Sequence, residues 1–197
     1  MGYTTNFRGR INLDKPLDDE TYNFLVKLSK TRRMKRNLPP KYGIEGEYFV
    51  DGEGSFGQDN TPDVIDHNTP PSTQPGLWCG WVPTEDRKGI EWDGNEKFYS
   101  SDKWMDYIIN RILKPKGYVG HGVIEAQGED MGDHWWLHVR NNKVFIEEIN
   151  EKLCKAEAYD ILTCPEEDLP LYVGKELDTL AKYMLQKRLN GTISVQI

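Results

Sequence analysis

A chain of 197 residues has the length of one domain with room for an appendage, and enough material for a full hydrophobic core. Its 25 Lys and Arg face 32 Asp and Glu, a formal net charge of -7. That balance argues against a broad nucleic-acid or anionic-membrane surface, since both need a positive footprint, and leaves room only for a local basic patch. Mean hydropathy is low at -0.71, and 11% aromatic residues help to supply the core. The cysteines Cys79, Cys154 and Cys164 form no C-x-x-C pair, and an odd count suits a reduced interior. The opening MGYTTNFRGR has no apolar stretch of a secretory signal, and Asn6 stands where a myristoylation signal wants Ser or Thr. No apolar run approaches the length of a membrane span. The expected location is the cytoplasm, with no membrane partner.

In chain order, Tyr3, Thr5, Phe7, Ile11 and Leu13 alternate with polar neighbours and predict a half-buried strand over 3–13, ended by Pro16. Asp18 then caps a helix, Leu17 and Tyr22 form its hydrophobic staple, and Phe24, Leu25 and Leu28 are its apolar stripe. Its last turn runs into KTRRMKR, where positive charge suits the helix dipole. Residues 37–76 are rich in Pro and Gly. They predict a long irregular loop with a short strand at 48–50, packed down through Phe49, Phe56 and Ile65.

The segment 77–118 holds four of the six tryptophans. It reads as strand (77–82), polar turn, strand (90–93) and a helix capped by Ser100 with Tyr99 and Trp104 as staple. Pro115 and Gly117 stop that helix. A strand at 118–127 follows, then a hairpin pairing 134–139 with 143–149 through Asn141-Asn142, because Asn tolerates positive φ. This order predicts an α+β fold: a two-layer sandwich, ferredoxin-like βαββαβ with an added β-hairpin, over residues 1–149. Residues 150–197 read as a C-terminal helical appendage packed on the main domain, with a helix at 175–189 and a last short strand at 193–197.

At GYTTNFRGRINLDKPL, TRRMKR, GIEGEYFV, QPGLWCGWVP, IEWDGNEKFY and GYVGHGVIEAQGED, the chain resembles a family of small proteins found in bacteria and their viruses. The resemblance covers roughly residues 1–149. The family has no established activity, so the resemblance implies a bacterial or bacteriophage source, and hence a bacterial or host cytoplasm, and transfers no catalytic residue.

Lys30, Arg32, Arg33, Lys35 and Arg36 are the one dense basic cluster in an acidic chain. Guanidinium groups grip phosphate or carboxylate in a two-pronged fashion, so Arg32, Arg33 and Arg36 form a candidate clamp for an anion; the plainer account is a solvated helix end. Trp78 and Trp81, three apart on a strand, face opposite sides. One belongs in the core, and the other is a candidate to stack a base or anchor a partner. His134 and His138 on a strand stand about 13 Å apart, which opposes a shared zinc whose donors lie at about 2 Å. His121 and Glu125 make an acid–base pair only with help from elsewhere. Motifs for a nucleophile, a P-loop or a cofactor are missing. The sequence therefore favours a non-catalytic binding protein for a small anionic ligand such as a nucleotide. The alternative is a protein–protein interaction module acting on a host defence or nucleic-acid-handling factor. Neither reading specifies an oligomeric state.

Overall fold

The computed structural model describes residues 2–50, 61–130, 133–148, 161, 166–173, 182, 185, 186 and 189. The backbone divides into two compact units, Met1–Glu147 and Glu148–Ile197.

The first unit is built on a six-stranded sheet. Its strands are β1 (Asn6–Leu13), β4 (Trp81–Pro83), β5 (Gly89–Trp92), β6 (Gly120–Gln127), β7 (His134–Arg140) and β8 (Lys143–Glu148). They lie in the order β4-β5-β1-β6-β7-β8, and β1 is antiparallel to both β5 and β6. Helix α1 (Asp19–Lys30) connects β1 towards β4, and α2 (Ser101–Tyr107) connects β5 to β6. A second, two-stranded sheet pairs β2 (Lys35–Arg36) with β3 (Val64–Asp66). The molecule is thus mixed α and β with an antiparallel sheet.

Register decides which face is buried, because directly opposed residues in an antiparallel pair share a face. Ile11 lies opposite Ile90 on one side and Gly122 on the other. Gly9 faces Ile124, which in turn faces Leu137. This face carries Phe7, Ile11, Leu13, Ile90, Ile124, Leu137 and Val139 into one cluster with Leu25 and Leu28 of α1 and Trp104, Met105 and Ile108 of the second helix. At the β1–β6 crossing the chains come too close for a side chain. A Cβ on Gly9, whose φ is +107°, would sit 2.6 Å from the Val123 carbonyl oxygen, and one on Gly122 would sit 2.6 Å from that of Arg10.

The capping logic holds for α1. Asp18 accepts from the Thr21 N–H at 2.7 Å, and Leu17 is buried beneath the first turn. It fails for α2. Ser100 takes a left-handed conformation (φ 54°) and makes no side-chain cap, while Tyr99 is 57% exposed and staples nothing. That helix continues through a π-helical stretch, Ile108–Leu113, into a 3-10 turn, Lys114–Lys116, closed by Gly117 at φ 74°. The wider winding lets Ile108, Ile109, Ile112 and Leu113 all reach the core. The β7–β8 turn is built as its residues predict: Asn141 and Asn142 adopt φ of 48° and 63°. Asn142 also uses its carboxamide twice, accepting from Gly120 N–H at 2.7 Å and donating to the Tyr118 carbonyl at 2.8 Å.

The long loop departs from expectation. No strand forms at 48–50; instead a 3-10 turn, Pro40–Tyr42, starts the segment and the short strand lies further on, at β3. Phe49 is half-buried, whereas Ile65 is 60% exposed because β3 belongs to a narrow two-stranded ribbon with open faces. Phe56 lies outside the described residues. In the second unit Glu166–Tyr172 is a 3-10 helix, residues 182, 185, 186 and 189 are helical, and Ile161, Leu169 and Leu185 are buried. The strand expected at 193–197 lies outside the described residues, as do Cys154 and Cys164. Among the described residues no helix is long and apolar enough to cross a membrane.

Candidate functional site

The basic run after α1 separates into side chains with different tasks. Thr31 ends the helix, its hydroxyl donating to the Lys27 carbonyl at 2.8 Å, and the chain leaves extended. From there Arg33 turns inward and is 3% exposed. Its guanidinium donates to the Gln74 side-chain oxygen and to the backbone carbonyls of Gly46, Glu47 and Phe49. Burial pushes its pKa down to about 10, so the group stays charged at neutral pH. Tyr107 adds a hydrogen bond to the Glu47 carbonyl at 2.9 Å, and its own burial lifts the phenol to about 12. Arg36 is also buried. It donates to Asp63 at 2.7 Å and Thr61 at 3.2 Å, with its guanidinium 4.6 Å from the Phe49 ring centroid. Both arginines are therefore committed to folding the long loop onto the end of α1.

Arg32 points elsewhere. It is half-buried, donates to the His67 carbonyl and to the Asn68 side-chain oxygen, each at 3.1 Å, and lines a cavity of about 890 Å³. Ser29 and Lys30 from the end of α1 share that wall. The lining also takes in Leu77 and Trp78, Val82 of β4, and the Asp93–Tyr99 loop with Phe98 and Tyr99. The floor is tightly built. A Cβ on Gly80 would lie 2.7 Å from the Phe98 ring, so only glycine lets that ring seat there. Phe98 in turn meets Trp81 edge-on at 5.1 Å. Lys30 and Lys97 place positive charge at the rim beside Glu96, while Asp93 is occupied by Asn95, which donates to it from backbone and side chain at 2.9 Å.

The three-arginine clamp expected from the sequence is thus not assembled: Arg32 reaches the cavity, and Arg33 and Arg36 spend their donors inside the loop. The two tryptophans also part. Trp81 is completely buried, donates its indole N–H to the Ser101 carbonyl at 2.7 Å and packs edge-on against Phe7 at 5.1 Å. It is a core pillar, absent from the cavity. Trp78, half-buried, lines it. Sequence reading missed Phe98 and Tyr99 as cavity walls; the glycine at position 80, between Cys79 and Trp81 in an aromatic-rich stretch, was the available signal.

His121, His134 and His138 lie on the sheet face turned away from Ile11, Ile124 and Leu137. His134 Nε2 stands 2.8 Å from Glu125 Oε1, diagonally across β6 and β7, and its ring tilts against Trp136 at 4.6 Å. His138 Nε2 is 2.9 Å from Glu147 and stacks on Phe145 at 4.9 Å. Glu125 therefore serves His134, while His121 sits opposite Asn12 in the register. Among the described residues no group of three or more His, Cys, Asp and Glu is placed to hold a metal ion. Cys79 is buried and its thiol is pushed up to about 12 by that burial, which removes the thiolate a nucleophile needs.

Compared with family models, with curated proteins and with solved structures, the chain matches none.

Proposed function

We propose that this is a non-catalytic binding protein for a small planar anionic ligand, a nucleotide being the class that fits best, held in the cavity at the end of α1. The observation that carries this reading is the meeting of Arg32 and Trp78 in one largely apolar cavity. Cavities of several hundred Å³ with aromatic walls and a few placed polar groups are the usual form of small-molecule sites. A base would stack on Trp78, with Phe98 and Tyr99 closing the sides. A phosphate would take the guanidinium edge of Arg32 not used by His67 and Asn68, with Lys30 adding charge at the rim. The strand order β4-β5-β1-β6, with α1 and α2 as the two crossovers, supports a ferredoxin-like reading of this unit extended by the β7–β8 hairpin.

Isothermal titration against a panel of nucleoside mono-, di- and triphosphates tests the proposal. Saturable binding that quenches tryptophan fluorescence, and that Trp78→Phe and Arg32→Gln each weaken about tenfold or more, is the expected result. Silence across the panel, or binding indifferent to both substitutions, would remove the basis for it.

A further inference from the structure

A second cavity, of about 420 Å³, lies between the Ser72–Pro75 segment and the helix that runs from Ser101 to Lys116. We infer that it is a separate oxyanion site, for the phosphate or carboxylate group of a small molecule, built by Thr73 and Gln74 on one wall and Lys103, Asn110 and Arg111 on the other. The reasoning begins at Gln74. Its side-chain oxygen accepts from Arg33, and that assignment is forced because a guanidinium only donates. The amide N–H2 must then face the other way. Gln74 is 6% exposed, and this nitrogen has no hydrogen-bond partner among the described residues. The adjacent Thr73 hydroxyl is likewise buried and unpartnered there. Two neighbouring orphaned polar groups in one cavity wall are uncommon, since buried polar atoms are paired with protein, water or a ligand in the great majority of cases.

The facing wall supplies the sign of the ligand. Lys103 and Arg111 are exposed and make no ion pair with any described residue. The one carboxylate of the lining, Asp106, already accepts from Asn110 Nδ2 at 2.8 Å. Counting the lining alone, two cations against one carboxylate leave a positive balance. The amide N–H2, the ammonium and the guanidinium donate only, so the matching ligand is rich in acceptors and negatively charged. Asn110 and Arg111 also sit in the π-helical stretch, and such stretches recur at functional sites. The cavity is distinct from the one at Trp78: the two share no lining residue.

The test is NMR titration of the full chain with inorganic phosphate and, separately, malonate, following the Gln74 side-chain amide signals. A saturable shift of those signals with either probe is expected, weakened about five- to tenfold by Arg111→Gln and by Lys103→Gln, neither of which touches the core. Preference for phosphate assigns a phosphoryl ligand and preference for malonate a carboxylate. The Trp78 indole N–H signal should stay unmoved in the same titration, which separates this site from the first. The inference is overturned by no Gln74 response at concentrations that fill a millimolar site. It is equally overturned by shifts that survive both substitutions, which would mean an adventitious ion only.

Discussion

Replacing Arg33 by Met keeps most of the side chain's volume while deleting its charge and donors. The loss can be worked from the contacts. Four acceptors, the carbonyls of Gly46, Glu47 and Phe49 and the oxygen of Gln74, share one buried guanidinium. Hydrogen bonds to charged groups contribute about 1.5–3 kcal/mol each, so the gross loss is about 6 kcal/mol or more. Against this, removing the cation recovers its desolvation, several kcal/mol for a group this deep. The net expectation is a destabilisation of about 2–4 kcal/mol, which at an m-value of about 2 kcal/mol/M lowers the urea midpoint by roughly 1–2 M. Equilibrium unfolding followed by tryptophan fluorescence reads it directly. Arg33→Lys, which keeps the charge but offers three donors without the planar fork, should lose roughly half as much. A midpoint for Arg33→Met within about 0.3 M of the parent would refute the claim that this residue anchors the loop, because the orphaned carbonyls would then have found other donors at no cost.

Gly80→Ala places a methyl 2.7 Å from the Phe98 ring; a loss of about 1–3 kcal/mol in thermal or urea unfolding is expected, together with weaker ligand binding as the displaced ring enters the cavity. Gly9→Ala must push apart β1 and β6 against the Val123 carbonyl and adopt an unfavourable φ, so it should cost more than Gly80→Ala, a ranking that side-by-side melts decide. Asp86 is held down to about 2, first by the Thr84 hydroxyl and then by the Lys88 N–H and Arg10. A carboxylate with a lowered folded-state pKa stabilises above its unfolded value near 3.9 and loses that contribution as pH falls to about 2. Asp86→Asn should therefore be less stable than the parent at neutral pH, and the gap should close in acid; a pH-independent gap would contradict the assignment. Cys79, buried with a raised pKa, should resist alkylation in the folded chain and react on unfolding, as peptide mass spectrometry would show.

The regular elements were legible because their signals are local. Alternation placed β1, and Asp18 with Leu17 placed the start of α1. Asn141-Asn142 placed the hairpin turn, whose positive φ few other residues accept. Ser100 misled because a hydroxyl before a helix is a capping signal only when its backbone is extended, and here it is left-handed. The basic run misled for a different reason. Charge density along a sequence says where cations are, whereas their role depends on which acceptors the fold brings to them. The carbonyls that capture Arg33 lie 13 to 16 residues away, inside a segment with no periodicity to read. Spacing separated Trp78 from Trp81, but Phe98, which packs on Trp81 and lines the cavity, gave no pattern of its own. The polar cavity at Gln74 was invisible for the same reason: it exists only once the loop has folded against the second helix.

The cation at the heart of the long loop bears on how a ligand would arrive. A flap that swings open must leave its inner contacts behind, and here that would break the hydrogen bonds from Arg33 to the carbonyls of Gly46, Glu47 and Phe49 together. The wall that continues from Gln74 to Trp78 is accordingly standing before any guest enters. Capture should then follow simple one-step kinetics, its observed rate rising in proportion to concentration with no plateau from a gating step.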